Sequence, residues 1–483
     1  MRGYRGAALA PAQQHEPSAE AALPVFPDPT RLDPELSAFL HQASDQLCRW
    51  WADSTQRSPL PLLSVLPEVA PASQGLTPAA LLEDLQLVMD GAFNPVHPGS
   101  MAHLDPPPLT ASVAADLICA GLNNNLLAEE LSPSLSRLER SLCGWMAQRL
   151  GFGHQAGGVA ASGGSLSNLM ALVVARQQRG LLGVQEALVF CSTDAHVSIA
   201  KGLAVMGLPP SSLQPIEVDD QGQLRLDHLA EGLDRARLAG VPVLAVVATA
   251  GTTVRGAVDP LASIAHLCRA HGIWLHVDGA IGAVFGLSAK HANLVSDLSV
   301  ADSLTVNPQK LLGITKTSSL LLLRQPDALA SCFATGLPYM EPSWAEAHGG
   351  ECGLQGTRPA EVLKLWLGLR QLGVDGIEQL LQGAVSRRSR LQSLLSDMPL
   401  QLSGGPLHLL AFTPCGLDAA GSERWSSQTR QRLLERQLML SRPHYRGRHH
   451  LKAVLGNPHT REAELQAVAE VVSLSLSQPS HCS

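Results

Sequence analysis

A chain of 483 residues is too long for one ordinary core and predicts a large domain with at least one smaller satellite. Hydrophobic residues make up 45% and charged residues only 16%, which excludes disorder over most of the length. With 35 Lys and Arg against 42 Asp and Glu the net charge is −7, and no block of like charge stands out, so nucleic acid is not expected as a partner.

Residues 1 to about 30, rich in Ala, Pro, Gln and Glu, read as a loose arm. Pro11, Gln13, Gln14 and His15 interrupt the apolar stretch near the start before it could serve as a secretion signal. The longest apolar runs, such as residues 320–323, are strand-sized, well short of the roughly 18 residues of a membrane helix. Nine scattered cysteines without a C-x-x-C pair read as reduced thiols in a cytoplasmic, soluble protein and offer no metal site.

The apolar spacing of residues 34–51 suits an amphipathic helix capped by Asp33. After a Pro-rich connector, β-rich runs at 187–191, 243–248, 273–277, 303–306 and 318–323 alternate with helical patterns such as 226–239 and 261–270. That alternation predicts an α/β fold with a mostly parallel, helix-covered sheet. Beyond Gly376 the pattern changes to a long helix, strands near 407–412 and 451–455, and a last helix at 461–474, which predicts a small α+β domain. The expected division is an N-terminal arm and helical segment at 1–90, a large domain at 91–375 and a small domain at 376–483.

Four stretches carry possible chemistry. Ser162-Gly163-Gly164-Ser165-Leu166-Ser167-Asn168 stands before a helical run; glycines there leave backbone N–H groups open, and the helix dipole favours a phosphate, although an ordinary Gly-Ser turn has the same look. The run 273–277 ends at Asp278, followed by Gly279 and Ala280. Ligands of open α/β sheets sit beyond such carboxyl ends, the alternative being a helix cap. Lys310 follows the strand 303–306 and could form a Schiff base if burial lowers its pKa, whereas most lysines are solvated surface amines. His196, after a strand and a turn, could stack on an aromatic cofactor or serve as a hydrogen-bonded loop residue. A phosphate cradle, a carboxylate, a lysine and a stacking histidine together suggest pyridoxal phosphate, with Asp278 keeping the pyridine nitrogen protonated and Lys310 carrying the aldehyde.

Further pieces are His97-Pro98, Leu122-Asn123-Asn124-Asn125, Leu131-Ser132-Pro133, Leu138-Glu139-Arg140, Thr249-Ala250-Gly251-Thr252-Thr253, Leu363-Lys364-Leu365-Trp366 and Gly456-Asn457-Pro458. In this order the set closely resembles the group II pyridoxal-phosphate-dependent amino-acid decarboxylases, the family of the glutamate, aromatic amino acid, cysteine sulfinate and 2,4-diaminobutyrate enzymes, from about residue 94 to 471. The resemblance implies the type I, aspartate-aminotransferase-like fold and an active site at a homodimer interface. It also implies α-decarboxylation of a small polar or acidic L-amino acid, of the 2,4-diaminobutyrate, aspartate or glutamate type, to carbon dioxide and an amine. Carried over, it implies Lys310 as the cofactor-bonded lysine, Asp278 under the pyridine nitrogen, His196 on the ring, Gly164 and Ser165 at the phosphate, and Thr252, Ala280 and Gln309 lining the cofactor. His103, Asn123 and Lys452 fall at substrate positions.

Three departures from the family pattern matter. Gln309 replaces the usual histidine, and its amide can hydrogen-bond a phosphate but cannot carry a proton. Lys452 stands where an arginine usually grips the substrate α-carboxylate, offering a point charge in place of a bidentate fork. The loop 340–355 lacks the usual tyrosine; Tyr4, Tyr339 and Tyr445 are the only tyrosines, leaving His348 as a candidate proton donor. Two alternatives follow from these departures: a decarboxylation-coupled oxidative deaminase that forms an aldehyde, and a catalytically silent dimer.

Overall fold

The computed structural model describes residues 23–62, 66–341, 344 and 348–477, so most of the expected N-terminal arm lies outside the described residues. The chain divides into two compact units that meet in sequence at Asn94 and Pro95. In the first, α1 (Pro34–Ala52) starts where the sequence predicts: the Asp33 carboxylate accepts the Leu36 N–H at 3.0 Å and proline occupies the first turn. A second helix, α2 (Pro78–Asp90), is capped by Thr77. The two are tied by Trp50 Nε1, which donates to the Met89 carbonyl at 3.0 Å.

The second unit opens with α3 (Thr110–Leu122) and α4 (Pro133–Arg149). Its sheet comprises β1 (Gly157–Ala161), β2 (Leu188–Ser192), β3 (Leu213–Ile216), β4 (Val243–Thr249), β5 (Trp274–Gly279), β6 (Ser303–Val306) and β7 (Ser319–Leu323), in the order β1-β7-β6-β5-β4-β2-β3. Only β7 runs against its neighbours. Between the strands lie α5 (Gly164–Gln178), α6 (Ser198–Val205), α7 (Leu226–Leu238), α8 (Leu261–Ala270) and α9 (Asp327–Phe333). On one face Ala245 and Val247 of β4 pack with Leu172 of α5 and Ile199 of α6. On the other, Val246 and Ala248 join the cluster that holds Leu229 of α7 and Ile264 of α8. Covered on both faces, β4 is buried at every residue, which is why it reads as an unbroken apolar run. The α/β class and the mostly parallel sheet are as the sequence predicts.

Two strands escape the sequence pattern. β1 is Gly-Gly-Val-Ala-Ala, too small to signal a strand, yet a Cβ on Gly158 would come within 2.1 Å of the Leu321 carbonyl oxygen on β7, so the pairing itself demands glycine. β3 lies at the sheet edge, the place where its Pro215 is tolerated.

After the sheet, α10 (Val362–Leu395) runs on with a break at Gly373, whose φ of 60° and ψ of −176° leave the helical region; the expected boundary at residue 376 falls inside this helix. There follow β8 (Leu400–Gly404), β9 (Leu409–Pro414), α11 (Ala419–Glu435), the short hairpin β10 (His444–Tyr445) and β11 (Arg448–His449), β12 (Leu451–Val454) and α12 (Glu462–Ser477). β12, β9 and β8 form an antiparallel sheet whose apolar face packs with Leu391, Leu395, Trp425, Leu465 and Val468 around Met101. Among the described residues no helix is long and apolar enough to cross a membrane.

One buried ion pair fixes the segment that leads into α10. Arg358 Nη1 and Nη2 donate to the two Glu139 oxygens of α4, each at 2.6 Å, and the Arg358 carbonyl accepts the Leu126 N–H. Removing one partner leaves the other charge buried and unpaired. Arg358→Ala is therefore expected to lower stability by about 3–5 kcal/mol in urea unfolding, and a loss under about 1 kcal/mol would refute that assignment.

Candidate active site

The parallel register aligns three polar residues at the carboxyl ends of the central strands: Thr249 of β4 is paired with Asp278 of β5, and Asp278 with Thr305 of β6. Two residues back, and on the same face by strand alternation, His276 is paired with Ser303. The helix above this face supplies Asn168, buried in the second turn of α5. Its Nδ2 donates to Asp278 Oδ2 at 2.8 Å and to Ser198 Oγ at 2.9 Å, while Oδ1 accepts from Thr305 Oγ1 at 2.7 Å and His276 Nε2 at 3.0 Å. All four hydrogen-bonding positions of the amide are filled. Asp278 Oδ1 accepts the Ala280 N–H at 3.1 Å. Burial pushes the His276 imidazole down to about 4, so it is neutral here.

Lys310 sits in the 3-10 turn Pro308–Lys310 that follows β6. Burial lowers its pKa, against the opposing attraction of Asp278 and Asp105, so a larger share of the amine is neutral than on a surface lysine. His196 lies across the same space, half-buried, with Nδ1 2.9 Å from Ser198 Oγ and 3.2 Å from the Ser198 N–H. Because Nδ1 accepts from the backbone, the ring proton of the neutral imidazole sits on Nε2.

Gly164, Ser165, Asn168, His196, Asp278, Ala280, Gln309 and Lys310 line one cavity of about 200 Å3, together with Thr249, Gly251, Thr253 and Asn307. One end of it is the start of α5. Gly163 turns the chain there with φ of +93°, and a Cβ on Gly164 would come within 2.9 Å of the Asn307 amide. The amides of Leu166 and Ser167 return to the Gly163 carbonyl, whereas the Ser165 N–H and hydroxyl have no partner within the described residues. Gln309 Oε1 accepts the Ser318 N–H at 2.5 Å, which leaves its NH2 group as the free end.

The cavity brings together most of the residues singled out in the sequence and leaves Thr252, His103, Asn123 and Lys452 outside its lining. Thr252 turns its hydroxyl into its own turn, where it accepts the Ala257 N–H at 3.0 Å; Thr249 borders the cavity, with its hydroxyl buried and unpartnered. Asn123 is an exposed left-handed cap at the end of α3, with φ of 47° and ψ of 36°, and His103 is also exposed within the chain. Lys452 of β12 is buried; its Nζ donates to the carbonyl of the cavity residue Thr253 at 3.3 Å, and burial, then the nearby Lys310 charge, lower its pKa to about 8. His348 is committed elsewhere: Nδ1 accepts the Glu129 N–H at 3.3 Å and Nε2 donates to the Glu341 carbonyl at 2.9 Å. Tyr339, at 71% exposure, is not a cavity residue. Sequence reasoning missed the roles open to Asn168 and Thr249, although both lie inside motifs it used.

Residues 59–398 match the model of the pyridoxal-dependent decarboxylase conserved domain. The chain belongs to this family of carboxy-lyases. It is 31% identical over 321 residues to an aromatic-L-amino-acid decarboxylase of Bacillus atrophaeus, covering 65% of this chain and 67% of that protein. Against the cysteine sulfinic acid decarboxylase of Rattus norvegicus it is 32% identical over 359 residues, covering 70% and 69%. The crystal structure of mouse CSAD in apo form superimposes with a TM-score of 0.83 at 26% identity, covering 92% of this chain and all of that one. The site of this decarboxylase fits pyridoxal phosphate on its own chemistry: a helix start with open donors for a phosphate, an orphaned Thr249 hydroxyl, a buried carboxylate and a partly desolvated amine border one cavity.

Borohydride reduction of the cofactor-loaded protein is expected to fix pyridoxal phosphate on the peptide that contains Lys310, and peptide mass mapping checks it. Label on Lys452 or Lys201 in place of Lys310 would overturn the reading of Lys310 as the reactive amine.

Proposed function

We propose that this pyridoxal-phosphate-dependent decarboxylase removes the α-carboxylate of a small acidic L-amino acid. The observation that carries the substrate class is an excess of positive charge near His103, to which Lys452, a buried cation with no carboxylate within ion-pair distance among the described residues, contributes together with Arg430. A buried, unpaired charge is costly unless a ligand of opposite sign completes it. Around His103 the field is set by Lys452, Arg430 and Lys316 against Asp105, and Asp105 is taken up by Lys316 at 2.6 Å. This excess of positive charge favours a second acidic group on the substrate and disfavours the extra amine of 2,4-diaminobutyrate. The cysteine sulfinic acid named for the rat relative is acidic in the same sense.

In this reading the bound cofactor supplies the electron sink that stabilises the charge left when carbon dioxide departs. Ser165, with Gly164, the start of α5 and the free amide end of Gln309, holds the phosphate. Thr249 and Ala280 would border the ring, Asp278 would favour a proton on the pyridine nitrogen, and His196 would cover the ring. Lys310 would carry the cofactor in the resting protein. Protonated Lys452 aims the substrate α-carboxylate. With His348 held at both nitrogens, Lys310 Nζ and His196 Nε2 are the proton carriers that border the cavity.

That same shortage of acids favours one second reading, an oxidative one: amino acid, dioxygen and water yielding carbon dioxide, aldehyde, ammonia and hydrogen peroxide. Carbon dioxide, amine and peroxide measured together across aspartate, glutamate, cysteine sulfinate, 2,4-diaminobutyrate and aromatic amino acids separate the two. Amine without peroxide, with kcat/KM for an acidic substrate at least about tenfold above that for 2,4-diaminobutyrate, is expected. A preference for 2,4-diaminobutyrate or an aromatic substrate would sink the substrate class.

Lys452→Met is expected to raise KM about 10- to 100-fold with a smaller change in kcat, the loss of a charge-assisted hydrogen bond to substrate. Because the Lys452 pKa is depressed to about 8 and only the protonated form attracts a carboxylate, wild-type KM should rise as pH passes upward through about 8. A flat KM between pH 7 and 9 would argue against Lys452 as the carboxylate anchor.

A further inference from the structure

We infer that Asn168 is a positioning residue that holds Asp278 and His196 in register through one amide. The inference rests on the proposed roles of those two residues and adds to them a group that need not touch the cofactor.

The proton positions around Asn168 are determined. The nitrogen of the Asn168 amide donates to the Asp278 carboxylate, and its oxygen faces Thr305 and His276. Neutral His276 therefore carries its proton on Nε2, and its Nδ1 accepts from Ser303 Oγ at 2.9 Å, an oxygen that itself accepts from Trp274 Nε1 at 2.9 Å. On the other side, Ser198 Oγ accepts one Asn168 N–H and so gives its own proton to His196 Nδ1. A directed chain thus runs from Trp274 through Ser303, His276 and Asn168, and there branches to Asp278 and, through Ser198, to His196. Its direction is set by the Asp278 charge, and no member is free to turn over without leaving a buried donor or acceptor unpaired. Asn168 is 1% exposed, and Thr305, His276 and Ser198 are buried with it.

The consequence is specific. Loss of the Asn168 amide withdraws a donor that favours the charged form of Asp278 and unties Ser198, whereas loss of the Thr305 hydroxyl removes one contact to the same amide and leaves both of those bonds in place. The titratable groups electrostatically coupled to Asp278 are His276 on its own strand, His196 from the segment before α6 and Lys310 after β6.

The test is titration of the full-length, cofactor-stripped protein with pyridoxal phosphate from pH 5 to 9, followed by fluorescence, with thermal unfolding in parallel. Asn168→Ala is expected to weaken cofactor binding by about tenfold or more and to move the acid limb of binding upward by about one pH unit. Thr305→Val, which loosens the same buried cluster, should lower the unfolding temperature but change the affinity less than about twofold, with no shift of the limb. If the two variants shift affinity and limb alike, Asn168 is packing and the inference fails. Should Asn168→Ala not fold, Asn168→Asp keeps the shape and sets a second carboxylate beside Asp278; its acid limb must also move upward, and an unmoved limb overturns the inference. Asp278→Asn separates the two levels: unchanged affinity there removes the role proposed for Asp278, while a large loss there with no effect of Asn168→Ala removes only the role of Asn168.

Discussion

Carboxyl ends of parallel strands are buried from both faces, and every polar group placed there needs a partner. In this protein that constraint falls on the row Thr249, Asp278 and Thr305 and on His276 behind it. For Asp278, Thr305 and His276 the Asn168 amide meets it, with both donors and both acceptor positions used, while the Thr249 hydroxyl stays unpartnered. Because Asn168 is fixed to the sheet, the helix that carries it is fixed as well. Ser165, three residues earlier in the first turn of α5, is thereby set relative to Asp278, so the helix-start end of the cavity and its carboxylate are coupled through one helix turn.

The charges of the cavity follow from the same burial. Lys310 and Lys452 both have their pKa values lowered, chiefly by loss of water, and each sits in the field of the other's charge or of nearby acids. Two buried amines so close cannot both hold protons cheaply. Lys310 has Asp278 and Asp105 in its surroundings, whereas Lys452 has a carbonyl contact at Thr253 and no carboxylate within ion-pair distance among the described residues. Covalent attachment of a cofactor to Lys310 would lower the competition for protons, and an arriving carboxylate would complete Lys452. The electrostatics therefore favour a site that is more stable loaded than empty.

Much of this was legible in the residues. The strands β4 and β7 announce themselves because burial on both faces leaves long apolar runs, β5 and β6 read as short β-rich runs, and Asp278 and Lys310 stand out as polar residues at or just past the ends of the latter two. β1 and β3 stayed hidden, one because close approach to β7 selects glycine, the other because an edge tolerates proline. Asn168 was in plain sight within the Gly-Ser motif, yet which of two threonines, 249 or 252, turns toward the cavity depends on strand alternation against turn geometry, which spacing alone leaves open. His348 looked available for proton transfer because a loop histidine usually is; two backbone partners brought together from residues 129 and 341 remove that freedom, and neither partner can be inferred from the loop.

Gln309 shows how one such departure shifts the chemistry to its neighbours. Its oxygen is held by the Ser318 N–H, so the end toward the cavity is a fixed donor that can support a phosphate oxygen or a carbonyl but can neither give up nor accept a proton within the working pH range. A histidine at this place could do both. With Gln309 fixed as a donor, and with the loop histidine withdrawn, proton movement at the cavity would fall to Lys310 and His196, two cavity groups whose pKa values burial lowers. The Asn168 network then bears on more than the cofactor: by assigning the His196 proton to Nε2 it makes that ring a donor toward the cavity and leaves Lys310 as the group able to accept.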